Sequence, residues 1–446
     1  MDLFGTDGIR GVAGEFPLDE TTVNVIGASL ARQCREKFGR RPRFVSGRDT
    51  RESGAWIEAA FHAGAVAEGA TCESAAVITT PGVAYLARAL NFDAGIVISA
   101  SHNPYEDNGI KIFSPTGKKI DEATEHAIEV DIAAARKSMS IDKTVDAEAR
   151  ADEFKHQYAE HLKHEGNGFS LGGMKLVIDC ANGAASDLAP VVFSDLGGDL
   201  VVINSEPNGR NINLNCGSLH LDQLQAEVRR QEADIGIAFD GDADRALFID
   251  EKGHSVDGDA TLWIMARYLQ DHGKLANSTV VATVMSNIGL EIALRSKSIE
   301  LLRTAVGDKY VLEKLIETGS EIGGEQSGHI IFPEISLVGD GMMTALLVLR
   351  AISERGLSLS AAKEGFVAYP QILLNTRVRE KRPFNEVADI AEAARTVEGE
   401  LHGEGRLLLR YSGTENLARV MIEGKDQAAI EMQARRLASV IEKALG

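Results

Sequence analysis

The chain has 446 residues, 44% of them hydrophobic and 25% charged, and carries a formal net charge of −19. That is ample material for buried cores, and a guide of roughly 150 residues per domain predicts several domains, about three. The acidic surplus excludes a broad nucleic-acid or anionic-membrane surface, which needs a dominant basic face, so an anionic ligand must meet a local basic pocket.

Cys34, Cys72, Cys180 and Cys216 are scattered, without C-x-x-C spacing or the density of a disulfide scaffold, and read as reduced, mostly buried thiols. The start, MDLFGTDGIRG, has neither a basic leader nor an apolar signal core, and no window approaches the ~18 apolar residues of a membrane span. A soluble, cytoplasmic protein is expected.

In chain order, RFVSGRDTRESGAWIEAAF from Arg43 reads as strand, polar turn and helix. The same grammar returns in KLVIDCANGAASDLAPVVF from Lys175 and VVATVMSNIGLEIAL from Val280. Three copies of an α/β unit with mixed or parallel sheets are therefore expected. Between the first two, Asp121 to about His164 is charged, Ala-rich and nearly free of turn signals, as in long connecting helices. After Phe366 the pattern changes to a strand (QILLNTRVREK), two strands around a polar turn (RLLLRYSGTENLARVMIEG) and an amphipathic terminal helix (DQAAIEMQARRLASVIEKAL), a smaller α+β domain. The expected boundaries are 1–155, 156–253, 254–366 and 367–446, with short hinges that make sites between domains natural.

Four segments carry chemistry. Ser99-Ala-Ser101-His102-Asn103-Pro104 follows the apolar strand AGIVI and precedes Asp107-Asn108-Gly109-Ile110-Lys111. A strand ending in small polar residues exposes a hydroxyl at a sheet edge, and Lys111 could offset charge on a phosphoryl group or shuttle a proton. The competing reading is a plain turn, since G-x-S-x-G is absent.

Asp240-Gly-Asp242-Ala-Asp244-Arg245 lies between IGIAF and ALFID, two strand-like runs. Two unit charges ~4 Å apart cost about 4 kcal/mol at an effective dielectric of ~20, so three such carboxylates call for a hard cation. Glu251 at the twelfth position completes an EF-hand-like spacing, but Arg245 occupies the sixth, where that loop needs Gly, and the flanks are strands. A catalytic Mg²⁺ beside a phosphate-binding arginine fits better than a solvated acidic turn.

In Gly324-Glu325-Gln326-Ser327-Gly328-His329, alternation would place Glu325, Ser327 and His329 on one side of an extended segment, an edge suited to sugar hydroxyls, although any exposed strand alternates. In Arg410-Tyr411-Ser412-Gly413-Thr414-Glu415-Asn416, with Arg419 beyond, backbone N–H groups, two hydroxyls and two guanidiniums would cradle phosphate; the plain alternative is a hairpin turn with surface arginines.

Together with Phe4-Gly-Thr-Asp-Gly-Ile-Arg10-Gly, these four segments in this order resemble the α-D-phosphohexomutases along the whole chain. The resemblance implies three similar α/β domains with mixed sheets and a smaller C-terminal α+β domain around a central cleft. It implies that Ser101, activated by phosphorylation, carries the phosphoryl group and that Asp240, Asp242 and Asp244 hold one Mg²⁺, with a phosphoserine oxygen as a further ligand. Glu325 and Ser327 would select the sugar, while Arg410, Ser412, Gly413, Thr414 and Arg419 would bind the substrate's phosphate. Lys111 and His329 are the base candidates; Arg10 and Arg245, with Arg410, would retain a glucose or glucosamine 1,6-bisphosphate as intermediate or activator.

Gly323-Gly-Glu-Gln-Ser-Gly-His329, Met285-Ser-Asn-Ile-Gly-Leu-Glu291 and Asn211-Ile-Asn-Leu-Asn-Cys-Gly-Ser218 are similar to the amino-sugar branch of that family. This implies interconversion of glucosamine 6-phosphate and glucosamine 1-phosphate, feeding UDP-N-acetylglucosamine synthesis. Departures stand at Leu219, Lys309, Asn416 and the FPEISLV stretch. The rivals are a mannose or glucose phosphate mutase, a non-catalytic sugar-phosphate binding protein, and a metal-dependent phosphatase. A small-molecule sugar phosphate is the expected partner, without nucleic acid or membrane, and a homodimer stays open.

Overall fold

Apolar runs without alternation become strands covered on both faces. Ala94–Ile98, Ile235–Phe239 and Thr279–Thr283 are buried at every position. The computed structural model describes residues 3–134, 147–165, 169–412 and 415–446. The chain divides into two units, 1–285 with 301–364, and 286–300 with 365–446.

Three mixed sheets make up the first unit's framework. In the first, the order is Phe4–Gly5, Gly8–Val12, Asp107–Phe113, Ala94–Ile98, Arg43–Arg48, Thr71–Val77. Arg43–Arg48 pairs in parallel with both Ala94–Ile98 and Thr71–Val77, and Asp107–Phe113 turns back antiparallel on Ala94–Ile98. Alternate residues of these strands face opposite layers. Phe44, Ile96 and Ile98 join a core with Ile26 and Phe61 of helices Glu20–Phe38 and Gly54–Ala67, whereas Gly47 and Gly95 lie against Val83 of helix Thr80–Ala89.

The second sheet repeats the plan. Lys175–Asp179 pairs in parallel with Asp199–Ile203 and Ile235–Phe239, and Ala246–Ile249 turns back antiparallel on Ile235–Phe239. In the third, Thr279–Thr283 pairs in parallel with Gly323–Gly324, on which Ile330–Ile331 turns back. The loops bearing Ser101, the three aspartates and Glu325 therefore occupy one equivalent position in all three repeats, between the last parallel strand and its antiparallel return.

The second unit holds a three-stranded antiparallel sheet, Gln371–Arg377, Leu417–Glu423, Arg406–Tyr411, packed on helices Ala388–Glu400 and Gln427–Leu445 around Ile390, Val420, Ile422, Leu437 and Ile441. Helix Ile288–Arg295 belongs here; its first amide donates to Glu423 Oε2 at 3.2 Å. All four cysteines are free and buried. Among the described residues no helix is long and apolar enough to cross a membrane.

Candidate active site

Ser101 follows strand Ala94–Ile98 with a left-handed backbone, φ 53°. That region costs an L-residue roughly 1–2 kcal/mol, so the surroundings must impose it. The side chain is buried, and its Oγ donates to Asp240 Oδ2 at 2.5 Å. The serine foreseen as phosphoacceptor and the first aspartate of the metal loop, 139 residues apart, are thus in direct contact.

Asp240, Asp242 and Asp244 converge, their ligand atoms lying within 4.8 Å of one another, and all three are buried. Asp242 Oδ1 and Asp244 Oδ1 are buried without a hydrogen-bond partner among the described residues. Orphaned carboxylate oxygens cost free energy unless a cation takes them, and an all-oxygen set suits Mg²⁺. Glu251 instead accepts from Ser360 N at 3.2 Å and stands apart from the cluster, which disposes of the EF-hand spacing.

Electrostatics around the triad are finely divided. Lys111, buried, places Nζ 2.8 Å from Asp242 Oδ2, 3.3 Å from Asp244 Oδ2 and 3.0 Å from Asp7 Oδ2. Burial disfavours its charge, but Asp242, Asp7 and Asp244 outweigh burial and hold the ammonium well above its ordinary value. The Asp240 carboxyl is pushed well up, first by burial and then by Asp244 and Asp242. Asp244 resists burial through Lys111 and His329 and lies well below the usual range. Asp242 is further held by Thr80, whose Oγ1 donates to Oδ2 at 2.5 Å from the first turn of helix Thr80–Ala89, where the helix dipole also favours an anion.

A cavity of about 390 Å³ opens beside this cluster, with Arg10, His102, Arg245, Asp308, Glu325 and His329 in its lining. Arg245 reaches His102 Nδ1 from Nη1 at 3.2 Å. Burial, then Arg245 and Arg10, push the His102 imidazole down to about 4, so at neutral pH it is an uncharged acceptor. Arg10 is ion-paired with Asp7.

Glu325 and His329 line this cavity and Ser327 Oγ donates to Glu325 Oε2 at 3.4 Å, but strand alternation does not place them. The strands Gly323–Gly324 and Ile330–Ile331 are two residues each, and Glu325–Gly328 is a tight turn closed by Gly328 N to Glu325 O at 3.0 Å. The expected extended segment is thus corrected: antiparallel return within so few residues needs the positive φ of Gly328, 92°. Glu325 Oε1 accepts from Gly307 N at 3.2 Å. Burial opposes charge on His329, yet Asp244 and Asp308 lift it to about 9. Against that, Gly339 N–H donates to Nε2 at 3.1 Å and demands a lone pair there.

In the second unit, Arg410 and Arg419 sit directly opposite on paired strands. Like charges so placed repel, and burial, then Arg419, pushes the Arg410 guanidinium down. Arg419 Nε is buried with no hydrogen-bond partner among the described residues. Ser412 Oγ accepts from Glu415 N at 3.3 Å, and its carbonyl accepts from Lys381 Nζ at 2.7 Å. The expected ligands Gly413 and Thr414 lie outside the described residues.

Sequence reasoning missed Asp7, His102, Lys119 and Lys381 as parts of these sites. Lys119 ties Asp7 Oδ1 (2.7 Å) to Asp308 Oδ2 (2.7 Å). His102, adjacent to Ser101, and Asp7, inside Phe4-Gly-Thr-Asp-Gly-Ile-Arg10-Gly, lay in segments that the sequence singled out.

A hydroxyl against a carboxylate triad, rimmed by guanidiniums, defines a site built for phosphoryl transfer. Residues 1–139, 156–253 and 257–369 match the phosphoglucomutase/phosphomannomutase α/β/α domains I, II and III, and 373–440 match the C-terminal domain. The chain belongs to the α-D-phosphohexomutase family. It is 47% identical to a phosphoglucosamine mutase of Solibacter usitatus over 100% of this chain and 99% of that one. A phosphoglucomutase/phosphomannomutase family protein from Burkholderia thailandensis superposes with TM-score 0.80 at 25% identity, covering 99% and 97% of the chains. An Aspergillus fumigatus N-acetylphosphoglucosamine mutase, solved with GlcNAc-6P and magnesium, superposes with TM-score 0.64 at 18% identity, covering 100% and 96%.

Proposed function

We propose that this enzyme interconverts glucosamine 6-phosphate and glucosamine 1-phosphate through a phosphoryl group carried on Ser101. The observation that carries this reading is the 2.5 Å contact of Ser101 Oγ with Asp240 at the edge of the orphaned carboxylate cluster, joined to full-length similarity to phosphoglucosamine mutases.

In the proposed cycle the free sugar hydroxyl attacks phospho-Ser101. The new O–P bond forms as the Oγ–P bond breaks, the hydroxyl proton passes to a base, and Oγ regains a proton. The resulting 1,6-bisphosphate turns over, Ser101 takes the other phosphoryl group, and the isomer leaves. Mg²⁺ held by Asp240, Asp242 and Asp244 would supply neutralisation of the charge on the transferring phosphoryl oxygens. Lys111 contributes fixed positive charge beside the triad, Arg10 and Arg245 hold the bisphosphate, and His329 is the group assigned to proton traffic. Glu325 and Ser327 receive sugar hydroxyls, and within the second unit Arg410, Ser412 and Arg419, with Gly413 and Thr414, are the groups assigned to phosphate.

The test is Mg²⁺-dependent conversion of glucosamine 6-phosphate to the 1-phosphate, primed with a trace of 1,6-bisphosphate, against mannose and glucose 6-phosphates. Preference for the amino sugar is expected. Preference for a neutral sugar would move the chain to the sister activity, phosphate release without isomerisation would make it a phosphatase, and silence would leave a binding protein.

One local prediction follows from the Gly339 contact. A Cβ there would lie 2.5 Å from His329 Nε2, so Gly339→Ala must displace the ring. A shift of this size is expected to cost about 10²-fold in kcat/KM with the circular-dichroism melt little changed. Wild-type kinetics would remove His329 from the site.

A further inference from the structure

We infer that Arg51 and Asn213 are positioning residues for Ser101, gripping its carbonyl so that the strained backbone presents Oγ to the aspartate cluster; this rests on the reading of Ser101 as phosphoacceptor. Arg51 belongs to the polar turn of the first repeat, where the sequence offered only strand, turn and helix. Its side chain is fully buried and ion-paired with Asp49, Nε to Oδ2 at 2.9 Å. From that anchor Nη2 donates to the carbonyls of Ser101 and Asn103, both at 2.9 Å, and Nη1 donates to Pro104 O. A planar fork fixed at one edge and spent entirely on three carbonyls of one loop is a clamp.

Asn213 comes from the other side, out of the second repeat. Its Nδ2 donates to the same Ser101 carbonyl at 2.9 Å and to Asn103 O at 3.1 Å. The amide of Ser101 is held as well: it donates to Ser99 Oγ at 2.9 Å, which donates to Asp49 Oδ2 at 2.6 Å. Both peptide groups flanking Ser101 are thus pinned through Asp49, Arg51 and Asn213. Rotating φ out of the left-handed region would break these bonds and swing Cβ, and Oγ with it, off Asp240. Gly241 of the metal loop closes the remaining space, since a Cβ there would fall 2.5 Å from Ser101 O. None of these three side chains is needed to touch substrate.

The test measures labelling of Ser101 in the full-length enzyme by ³²P-labelled glucose 1,6-bisphosphate, alongside steady-state kinetics. Asn213→Gly removes the side chain while suiting the residue's own φ of 58°, and its backbone stays held by N–H to Ala181 O at 2.9 Å. Arg51→Lys keeps the charge against Asp49 but loses the fork. Labelling and kcat should fall about 10-fold in Asn213→Gly and about 100-fold in Arg51→Lys, with KM for the sugar phosphate within about 2-fold, because misplacing a nucleophile by ~1 Å taxes transfer and not binding. Labelling within about 2-fold of wild type in Asn213→Gly, or a KM rising in step with the fall in kcat, would overturn the inference. Should Arg51→Lys fail to fold, Asn213→Gly still decides. A wild-type enzyme that takes no label on Ser101 would instead overturn the underlying assignment of the phosphoacceptor.

Discussion

Ser101→Ala is expected to lower mutase turnover by at least about 10⁴-fold, because no neighbouring group can take over a covalent carrier. The fold should survive. The hydroxyl contacts Asp240 at 2.5 Å and, at 3.4 Å, His102 Nδ1, and the backbone bonds that pin residue 101 do not involve its side chain. Asp240, pushed above its ordinary value by burial and by Asp244, keeps a second donor after that loss, Arg245 N to Oδ1 at 3.2 Å. Thermal unfolding followed by circular dichroism should shift by no more than a few degrees. Sugar phosphate should still bind, as isothermal titration would show, since Arg10, Arg245 and Glu325 are untouched. Turnover within about 10-fold of wild type would take Ser101 out of the mechanism altogether.

Lys111→Met has the second largest expected effect, and it appears in stability as well as in rate. The ammonium lies within 3.3 Å of a carboxylate oxygen of each of Asp7, Asp242 and Asp244. Removing one partner of a buried charge cluster costs about 3–5 kcal/mol, since the survivors remain desolvated. In chelator, the urea midpoint should drop accordingly. Adding Mg²⁺ should recover most of the loss in the variant and change the wild type less, because a bound cation replaces what Lys111 supplied. Equal Mg²⁺ shifts in both proteins would place the cation elsewhere. The pH dependence has a fixed sign: Lys111 helps depress Asp7 and Asp244, so its stabilisation is present above the ordinary carboxylate range and is lost as pH falls through and below it. Variant and wild type should therefore converge toward acid.

The repeats were legible in the sequence because each opens on an unbroken apolar run followed by small polar residues, and such runs fold as strands covered on both faces. The aspartate triad was legible because three carboxylates between two buried strands have no inexpensive alternative to a cation. The alternation argument that singled out Glu325 does not describe the structure, where Glu325–Gly328 is a turn. A period of two over five residues belongs equally to an exposed strand and to a turn punctuated by glycine, and only the two-residue strands on either side distinguish them. Arg51, Asn213, Asp7 and Lys119 were not found. Their meaning lies in contacts with residues 50 to 189 positions away, and within their own segments they read as ordinary polar residues.

The equivalent placement of the three loops separates inheritance from innovation. Sheet pairing on either side of each loop is complete without it, so the loops are free to diverge while the plan of parallel strands and antiparallel return persists through sheets of six, five and four strands. In the proposed cycle one loop supplies the nucleophile, one the cation-holding carboxylates and one the groups that meet the sugar. No single copy could have been selected for isomerisation, since a carrier without its counter-charge, or a reader without a carrier, turns nothing over.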